Sequence, residues 1–287
     1  MPTIGIFVNL QKDRYLDVTR QLVDELTHQQ ADFYLETSIA AALQIPELGM
    51  EEEELYRNCQ VLMALGGDGT ILGVARRAAP IGIPIAGINL GRMGFLTEIE
   101  IGDLKKVVRQ ILAGRYEIEH RMMLAAKVSG PNRPEPLEIK CAMNDLMVTR
   151  HSVNRMLRVV LEANNGLLDR FSGDGVVIAS PTGSTGYSLS AGGPIVDPLL
   201  PCMVVTPICA HTLHSRSMVL SCDEEIRIRA ARPEEAMLLM VDGQESYAIF
   251  PGDEIAVARS PYEALFLRLQ ARDFYSLVRN KLWEWSQ

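Results

Sequence analysis

The sequence predicts an α/β domain joined to an all-β domain, and three observations predict it. The first 120 residues alternate apolar strand-like runs with helical runs, the rhythm of a parallel sheet covered by helices. Beyond about Arg121 the rhythm becomes short runs rich in Val, Ile, Leu and Met, broken by Gly, Pro, Asn and Asp, as in a sandwich or barrel. The last segment, Asp273 to Trp285, recovers helical spacing through Phe274, Leu277, Val278, Leu282 and Trp285, and is expected to pack back on the first domain.

Each element follows in order. Ile4 to Leu10 reads as the opening strand, and Asp13 to Gln29 as a helix with Leu16, Leu22, Val23 and Leu26 on one face. Phe33 to Leu35 is a second strand, and the acidic run Glu51 to Glu54 starts another helix. Gln60 to Leu65 is uninterrupted apolar sequence ending in glycines, which suits a buried parallel strand and a tight turn. Thr70 to Ala79 is a helix ended by Pro80, Pro84 to Asn89 a strand, and Asp103 to Leu112 a helix. Met156 to Ala163 and Gly175 to Ala179 are strands of the second half, and Trp283 and Trp285 are expected to anchor the final helix. The expected division is a doubly wound, Rossmann-like α/β domain over 1–120, completed by 258–287, and a β-sandwich over 121–257.

Composition narrows the function classes. A length of 287 residues with 47% hydrophobic residues supports two domains with substantial cores. The net charge of -8 argues against broad binding to nucleic acid or anionic membranes, both of which need a cationic surface. Five cysteines without a CxxC pair suggest neither a disulfide framework nor a thiolate zinc site. His211-Thr212-Leu213-His214 beside Cys209 lacks a matching distal pair and reads as a loop rather than a metal cluster. With Met1 leading directly into Thr3 to Val8, and no apolar stretch of spanning length, a cytoplasmic protein is expected.

Two glycine-rich runs carry the chemistry. Gly66-Gly67-Asp68-Gly69-Thr70 lies between a buried strand and a helix, where backbone N–H groups and the helix dipole converge on an anion. It matches neither the P-loop nor the GxGxxG fingerprint, and a plain turn with Asp68 as N-cap is its structural alternative. The second run, Pro181-Thr182-Gly183-Ser184-Thr185-Gly186-Tyr187-Ser188-Leu189-Ser190-Ala191-Gly192-Gly193-Pro194, offers hydroxyls and amides for sugars and phosphates and one ring, Tyr187, for a base. A Ser/Thr/Gly-rich surface loop is the competing reading.

Together with Asn89-Leu90-Gly91-Arg92-Met93-Gly94-Phe95-Leu96-Thr97, Asn144-Asp145 and Asp242-Gly243-Gln244, these runs follow the order seen in NAD kinases, and the chain resembles that family over nearly its whole length. The first loop is shared with diacylglycerol and sphingosine kinases; the Thr182 to Pro194 run is more diagnostic. The resemblance implies phosphorylation of the 2′-hydroxyl of the adenosine ribose of NAD, with Asp68 holding and deprotonating that hydroxyl. It implies a loop of Gly66, Gly67, Gly69 and Thr70 for the donor phosphates. It assigns NAD to Asp68, Gly69, Phe95, Asn144, Asp145, Arg155, Ser172, Asp174, Thr185, Gly186, Tyr187, Ser188, Leu189, Ser190 and Gln244. Mg²⁺ delivered with ATP is implied, as is a homodimer or homotetramer; the sequence shows no dedicated metal cage and leaves open whether polyphosphate can replace ATP as the donor. Asp145 stands where the family usually has glutamate, and Ser172 where some bacterial members have arginine. Two alternatives stay open: a lipid kinase using the same loop, which would need an apolar pocket, and a non-catalytic NAD(P) sensor, which would gain nothing from Asp68.

Overall fold

The structure is a computed structural model that describes all residues except 92–93, 152–155, 165, 213, 233, 270–273 and 286–287, and the side chains of 282–285. The chain divides into two compact units, Met1–His120 with Ala264–Gln287, and Arg121–Glu263.

The first unit runs β1 (Ile4–Val8), α1 (Asp17–His28), β2 (Phe33–Glu36), α2 (Thr37–Ala42), β3 (Gly49–Met50), α3 (Glu52–Asn58), β4 (Val61–Gly66), α4 (Asp68–Ala78), β5 (Ile85–Asn89) and α5 (Leu104–Leu112). Its parallel sheet has the order β3-β2-β1-β4-β5. Ile4, Ile6, Met63 and Leu65 pack with Leu22 and Leu26 of α1 and Val107, Val108 and Ile111 of α5. Phe7, on the opposite face of β1, meets Tyr56 of α3 with ring centroids 4.9 Å apart. Helices thus cover both faces, which is why β4 is buried throughout and reads as unbroken apolar sequence.

Two helix starts differ from the sequence reading. Helix α1 begins at Asp17, not Asp13, because Leu16 takes a left-handed conformation (φ 58°) and the Asp13 carboxylate accepts the Val18 and Thr19 amides. Helix α4 begins at Asp68, with Gly67 as its N-cap and no side-chain cap bond, so Asp68 is not an N-cap.

The second unit contains β6 (Glu117–Gly130, entering from the first unit), β7 (Arg133–Ala142), β8 (Asp145–Arg150), β9 (Leu157–Ala163), β10 (Gly166–Gly173), β11 (Gly175–Ala179), α6 (Tyr187–Ser190), β12 (Cys202–Ile208), β13 (Met218–Ser221), β14 (Ile226–Ala230), β15 (Met237–Val241) and β16 (Glu245–Ile249). It ends in β17 (Glu254–Arg268), whose last residues belong to the first unit, where Phe266 pairs in parallel with Ile85 of β5. Helix α7 (Phe274–Trp285) follows; the side chains of Trp283 and Trp285 lie outside the described residues.

One sheet of this unit has the order β13-β12-β11-β8-β15-β16; the other joins β10, β9, β14 and β17, with β6 against β17 and β7 against β6. Leu157, Val159, Ile226, Ile228, Ile255 and Val257 of one sheet interdigitate with Leu146, Val148, Val176, Ile178, Leu239 and Val241 of the other, which makes the unit a sandwich. Val177 and Ala179 point to the other face of β11, where they meet Val196 and Val204. The Ser/Thr/Gly run is therefore folded back over this sheet rather than left as a free loop.

Ile71 of α4 is fully buried, and a Cβ on Gly87 of β5 would touch its Cδ1 at 3.1 Å. Ile71→Ala is expected to cost about 2–5 kcal/mol of stability, read from the urea midpoint of unfolding.

Candidate active site

Apart from Ser172, Asp174 and Arg155, the predicted site residues fall into two clusters, one in each unit. In the first, β1, β4 and β5 pair in register, Val8 opposite Leu65 and Gly66 opposite Asn89, so their three carboxyl-end loops emerge side by side. Ligands of open α/β sheets bind at that edge. The loops are tied by the Asn9 amide donating to the Leu65 carbonyl (2.9 Å), the Leu90 amide to the Gly66 carbonyl (2.9 Å) and the Asn9 Nδ2 to the Thr70 Oγ1 (2.9 Å).

Asp68 sits in the first turn of α4, and its carboxylate is held at both oxygens: Oδ2 accepts the Phe95 amide at 2.8 Å and Oδ1 the Leu96 amide at 3.1 Å. The Gly94 amide in turn donates to Thr97 Oγ1 (2.9 Å), which shapes the turn that delivers those donors. Gly94 packs so closely that a Cβ there would overlap the Asp68 carboxyl group. With one lone pair per oxygen committed, each oxygen keeps acceptor capacity for a substrate hydroxyl. Gly66 is restricted likewise, since a Cβ would collide with the Thr70 side chain, whereas Gly69 faces open space. The structure thus brings together Gly66, Gly67, Asp68, Gly69, Thr70 and Phe95.

In the second unit Asp242, at φ 51° in the turn after β15, accepts three successive amides: Met143 (2.9 Å), Asn144 (2.7 Å) and Asp145 (3.0 Å). The Asp242 amide returns a bond to the Asp145 carbonyl at 3.0 Å. Ser180 closes the other side: its amide donates to the Asn144 carbonyl (2.8 Å), its hydroxyl donates to the Met143 carbonyl (2.6 Å), and its Oγ accepts the Gly183 amide (3.1 Å). A Cβ on Gly183 would strike the Asn144 carbonyl, and one on Gly186 would lie 3.6 Å from Asn144 Nδ2 and 3.7 Å from Asp145 Oδ2. Asn144, Asp145, Thr185, Gly186 and Gln244 therefore gather at one end of β8, β11 and β15, and Tyr187 beside them is 46% exposed. Leu189 is half-buried and Ser190 exposed on α6. Ser188 is fully buried, with its hydroxyl bonded to Thr206 Oγ1 at 2.9 Å, so it ties the run to β12.

Ser172 and Asp174 are elsewhere. Ala179 pairs with Asp145, but Gly175 pairs with Thr149 and the Asp174 carbonyl accepts the Arg150 amide, which puts Asp174 five residues, roughly 16 Å, down the sheet. There Asp174 Oδ1 meets Arg150 Nε at 3.1 Å, and the Ser172 carbonyl accepts the His211 amide at 2.8 Å. Arg155 lies outside the described residues.

Sequence reasoning gave Asp242 no role beyond its place in a motif, and it passed over Asn9 and Lys12. The Nζ of Lys12 rests against Gly67, on the spot a Cβ would take, and 3.9 Å from the corresponding position at Gly91. Among the described residues no three His, Cys, Asp or Glu side chains are grouped to hold a metal ion. The Asp68 carboxylate, with acceptor capacity left on both oxygens, could share a divalent cation carried by a ligand's phosphates.

Asp145 is 6% exposed, and burial, reinforced by the neighbouring Asp242 carboxylate, pushes its carboxyl up to about 7. The folded protein then holds this proton more tightly than the unfolded chain, so stability falls as pH rises from about 4 through about 7. Asp145→Asn, which carries no charge, is expected to be stabilised relative to the parent by on the order of 2–4 kcal/mol more at pH 8 than at pH 4. Paired urea titrations at the two pH values check this; an equal difference at both would show that the carboxyl titrates normally.

Residues 4–116 match the family model for the ATP-NAD kinase N-terminal domain, and residues 143–269 that for the ATP-NAD kinase C-terminal domain. The chain is 45% identical over 284 residues to the NAD kinase of Moorella thermoacetica, an alignment covering 99% of this chain and 90% of that one. It is 42% identical to the NAD kinase of Caldanaerobacter subterraneus subsp. tengcongensis, covering 99% and 100%. Among solved structures, yeast NADH kinase complexed with NADH superposes with a TM-score of 0.86 at 26% identity, covering 97% of this chain and 86% of that one. An NAD kinase from Archaeoglobus fulgidus in complex with ATP gives 0.74 at 26% identity, covering 97% and 98%. With both domain models matched in order and full-length relatives at this identity, the chain belongs to the ATP-NAD kinase family.

Proposed function

We propose that the protein transfers the terminal phosphoryl group of ATP to the 2′-hydroxyl of the adenosine ribose of NAD, giving NADP and ADP. The observation that carries this is the Asp68 carboxylate, fixed by two backbone amides beside the glycine loop. A carboxylate so oriented can accept the ribose hydroxyl as a hydrogen-bond donor and take its proton. The hydroxyl oxygen forms the new bond to the γ-phosphorus while the bridging bond to ADP breaks, and the proton passes to Asp68. Phosphoryl transfer has a loose transition state, so alignment by the fixed carboxylate and the loop outweighs strong base action. Mg²⁺ bound to the ATP phosphates would neutralise charge on the transferring group.

The acceptor's adenosine is assigned to Asn144, Thr185, Gly186, Tyr187 and Ser190, whose amides, hydroxyls and exposed ring suit a nucleoside, and Asp145 in the same cluster to the riboses or the nicotinamide end. Ser188 contributes by holding the run in place. Arg155, Ser172, Asp174 and Gln244 are assigned to the rest of the dinucleotide. Asp174, distant along the sheet from Asp145, would serve a neighbouring subunit's ligand if the protein acts as a homodimer or homotetramer. The edge strand β13, with Val219 53% exposed, suits such association. No helix among the described residues is long and apolar enough to cross a membrane, and action in the cytoplasm fits the compositional reading.

Incubation with ATP, Mg²⁺ and NAD, with NADH and diacylglycerol as parallel acceptors, is expected to give NADP, detected with an NADP-specific dehydrogenase. Absence of NADP from folded protein would remove the reading, and a phosphorylated lipid would replace it. Asp68→Asn keeps the size of the side chain while giving up one of its two backbone-amide contacts, and is expected to lower kcat by on the order of 10²–10⁴. Its Kd for NAD, measured by calorimetry, should stay within about threefold of the parent, since one hydroxyl contact is retained. Near-normal turnover would take Asp68 out of its assigned role.

A further inference from the structure

Lys12 is a cation at the glycine loop that neither its sequence context nor the matching motifs single out. It is exposed on the loop between β1 and α1, and that loop is tightly built. The Asn9 carbonyl accepts both the Lys12 and Asp13 amides at 2.9 Å, and Asn9 Oδ1 accepts the Gln11 amide at 3.0 Å. On the far side, Asp13 is 5% exposed and binds the Thr19 hydroxyl at 2.6 Å and the Thr19 amide at 2.9 Å. Asn9 itself grips Thr70 of the glycine loop. Lys12 thus stands on a backbone anchored at both ends and cross-tied to the loop it overhangs.

Its side chain, though exposed, folds back over the glycine loop. The ammonium lies against Gly67 and near Gly91, two positions without a side chain on the loops that follow β4 and β5. It forms no salt bridge among the described residues, the ordinary use of a lysine folded back onto its own protein. A compact ammonium over the buried Gly67 and near the exposed Gly91, at the positive end of α4, is a combination that can bind a polyanion of phosphates.

We propose that Lys12 is a donor-binding residue that clamps the polyphosphate chain of the nucleoside triphosphate against the Gly66–Thr70 loop, held in position by the Asn9–Thr70 hydrogen bond. This rests on the reading of that loop as the donor site, and specifies which side chain supplies its positive charge. Lysine contacts phosphate as a point charge, so arginine can substitute in charge while a neutral side chain of similar length cannot.

The test is equilibrium binding of the β,γ-imido analogue of ATP, and of inorganic triphosphate, to the parent, Lys12→Met and Lys12→Arg, which separates it from any question about the acceptor. Lys12→Met is expected to weaken both ligands about tenfold or more and flatten the salt dependence of binding, while Lys12→Arg stays within about threefold. Calorimetric binding of NAD by Lys12→Met should match the parent, which also reports that the variant is folded. In turnover, Lys12→Met should raise KM for ATP about tenfold and leave KM for NAD unchanged. Unchanged affinity of Lys12→Met for both ligands would overturn the proposal, as would loss confined to the nucleotide with triphosphate unaffected. If the parent binds both ligands through Lys12 yet makes no NADP, the assignment of the acceptor fails and that of Lys12 stands.

Discussion

The first cluster depends on the in-register parallel pairing of β1, β4 and β5. Val8, Leu65, Gly66 and Asn89 end their strands at matching levels, so the loops carrying Lys12, Asp68 and Gly94 begin at one edge of the sheet. A slip of a single residue would displace a loop by about 3.3 Å along the strand and turn its side chains to the opposite face. The Asp68 carboxylate could then no longer meet the Phe95 and Leu96 amides together. The fully apolar sequence of β4, buried on both faces, therefore sets the geometry of the charged group that follows it.

The second cluster is built on a different principle. Asp242 collects three consecutive amides from the turn between β7 and β8, and Ser180 secures the carbonyls of the same turn. Polar side chains are spent here on holding backbone, so that Asn144 and Asp145 are presented rigidly beside Gly183 and Gly186. Gly183 is required because the Asn144 backbone leaves no room for a Cβ, whereas a Cβ at Gly186 would press only on the Gly183 carbonyl, at 3.2 Å, and make ordinary contact with Asn144 and Asp145.

Periodicity made the fold class legible, because the helical and alternating patterns are local and the two kinds of domain carry different ones. The glycine loop and the Ser/Thr/Gly run were legible for a related reason: both concentrate residues that packing alone does not demand. What sequence could not reveal is long-range. Asp242 and Asn144 are separated by 98 residues, and Asn9 and Thr70 by 61, so no spacing links them. The start of α1 was misread because Leu16 looks like a helix residue and only its left-handed backbone excludes it. The separation of Asp174 from Asp145 depends on the register of β8 against β11, which the sequence of neither strand encodes by itself. The Lys12 side chain, four methylenes long, could have pointed anywhere until the loop beneath it was known.

The Asp145 carboxyl, poised near neutrality by burial and by Asp242, has a consequence for thermodynamic measurement. A ligand that settles against it and favours one protonation state must exchange a fraction of a proton with the solvent, by linkage. Heats of association would then vary with the ionisation enthalpy of the buffer, and the slope of that variation would count the protons moved. A carboxyl of ordinary acidity, ionised at neutral pH in both states, would be silent in the same measurement, so the slope reports how far a ligand shifts the Asp145 protonation equilibrium.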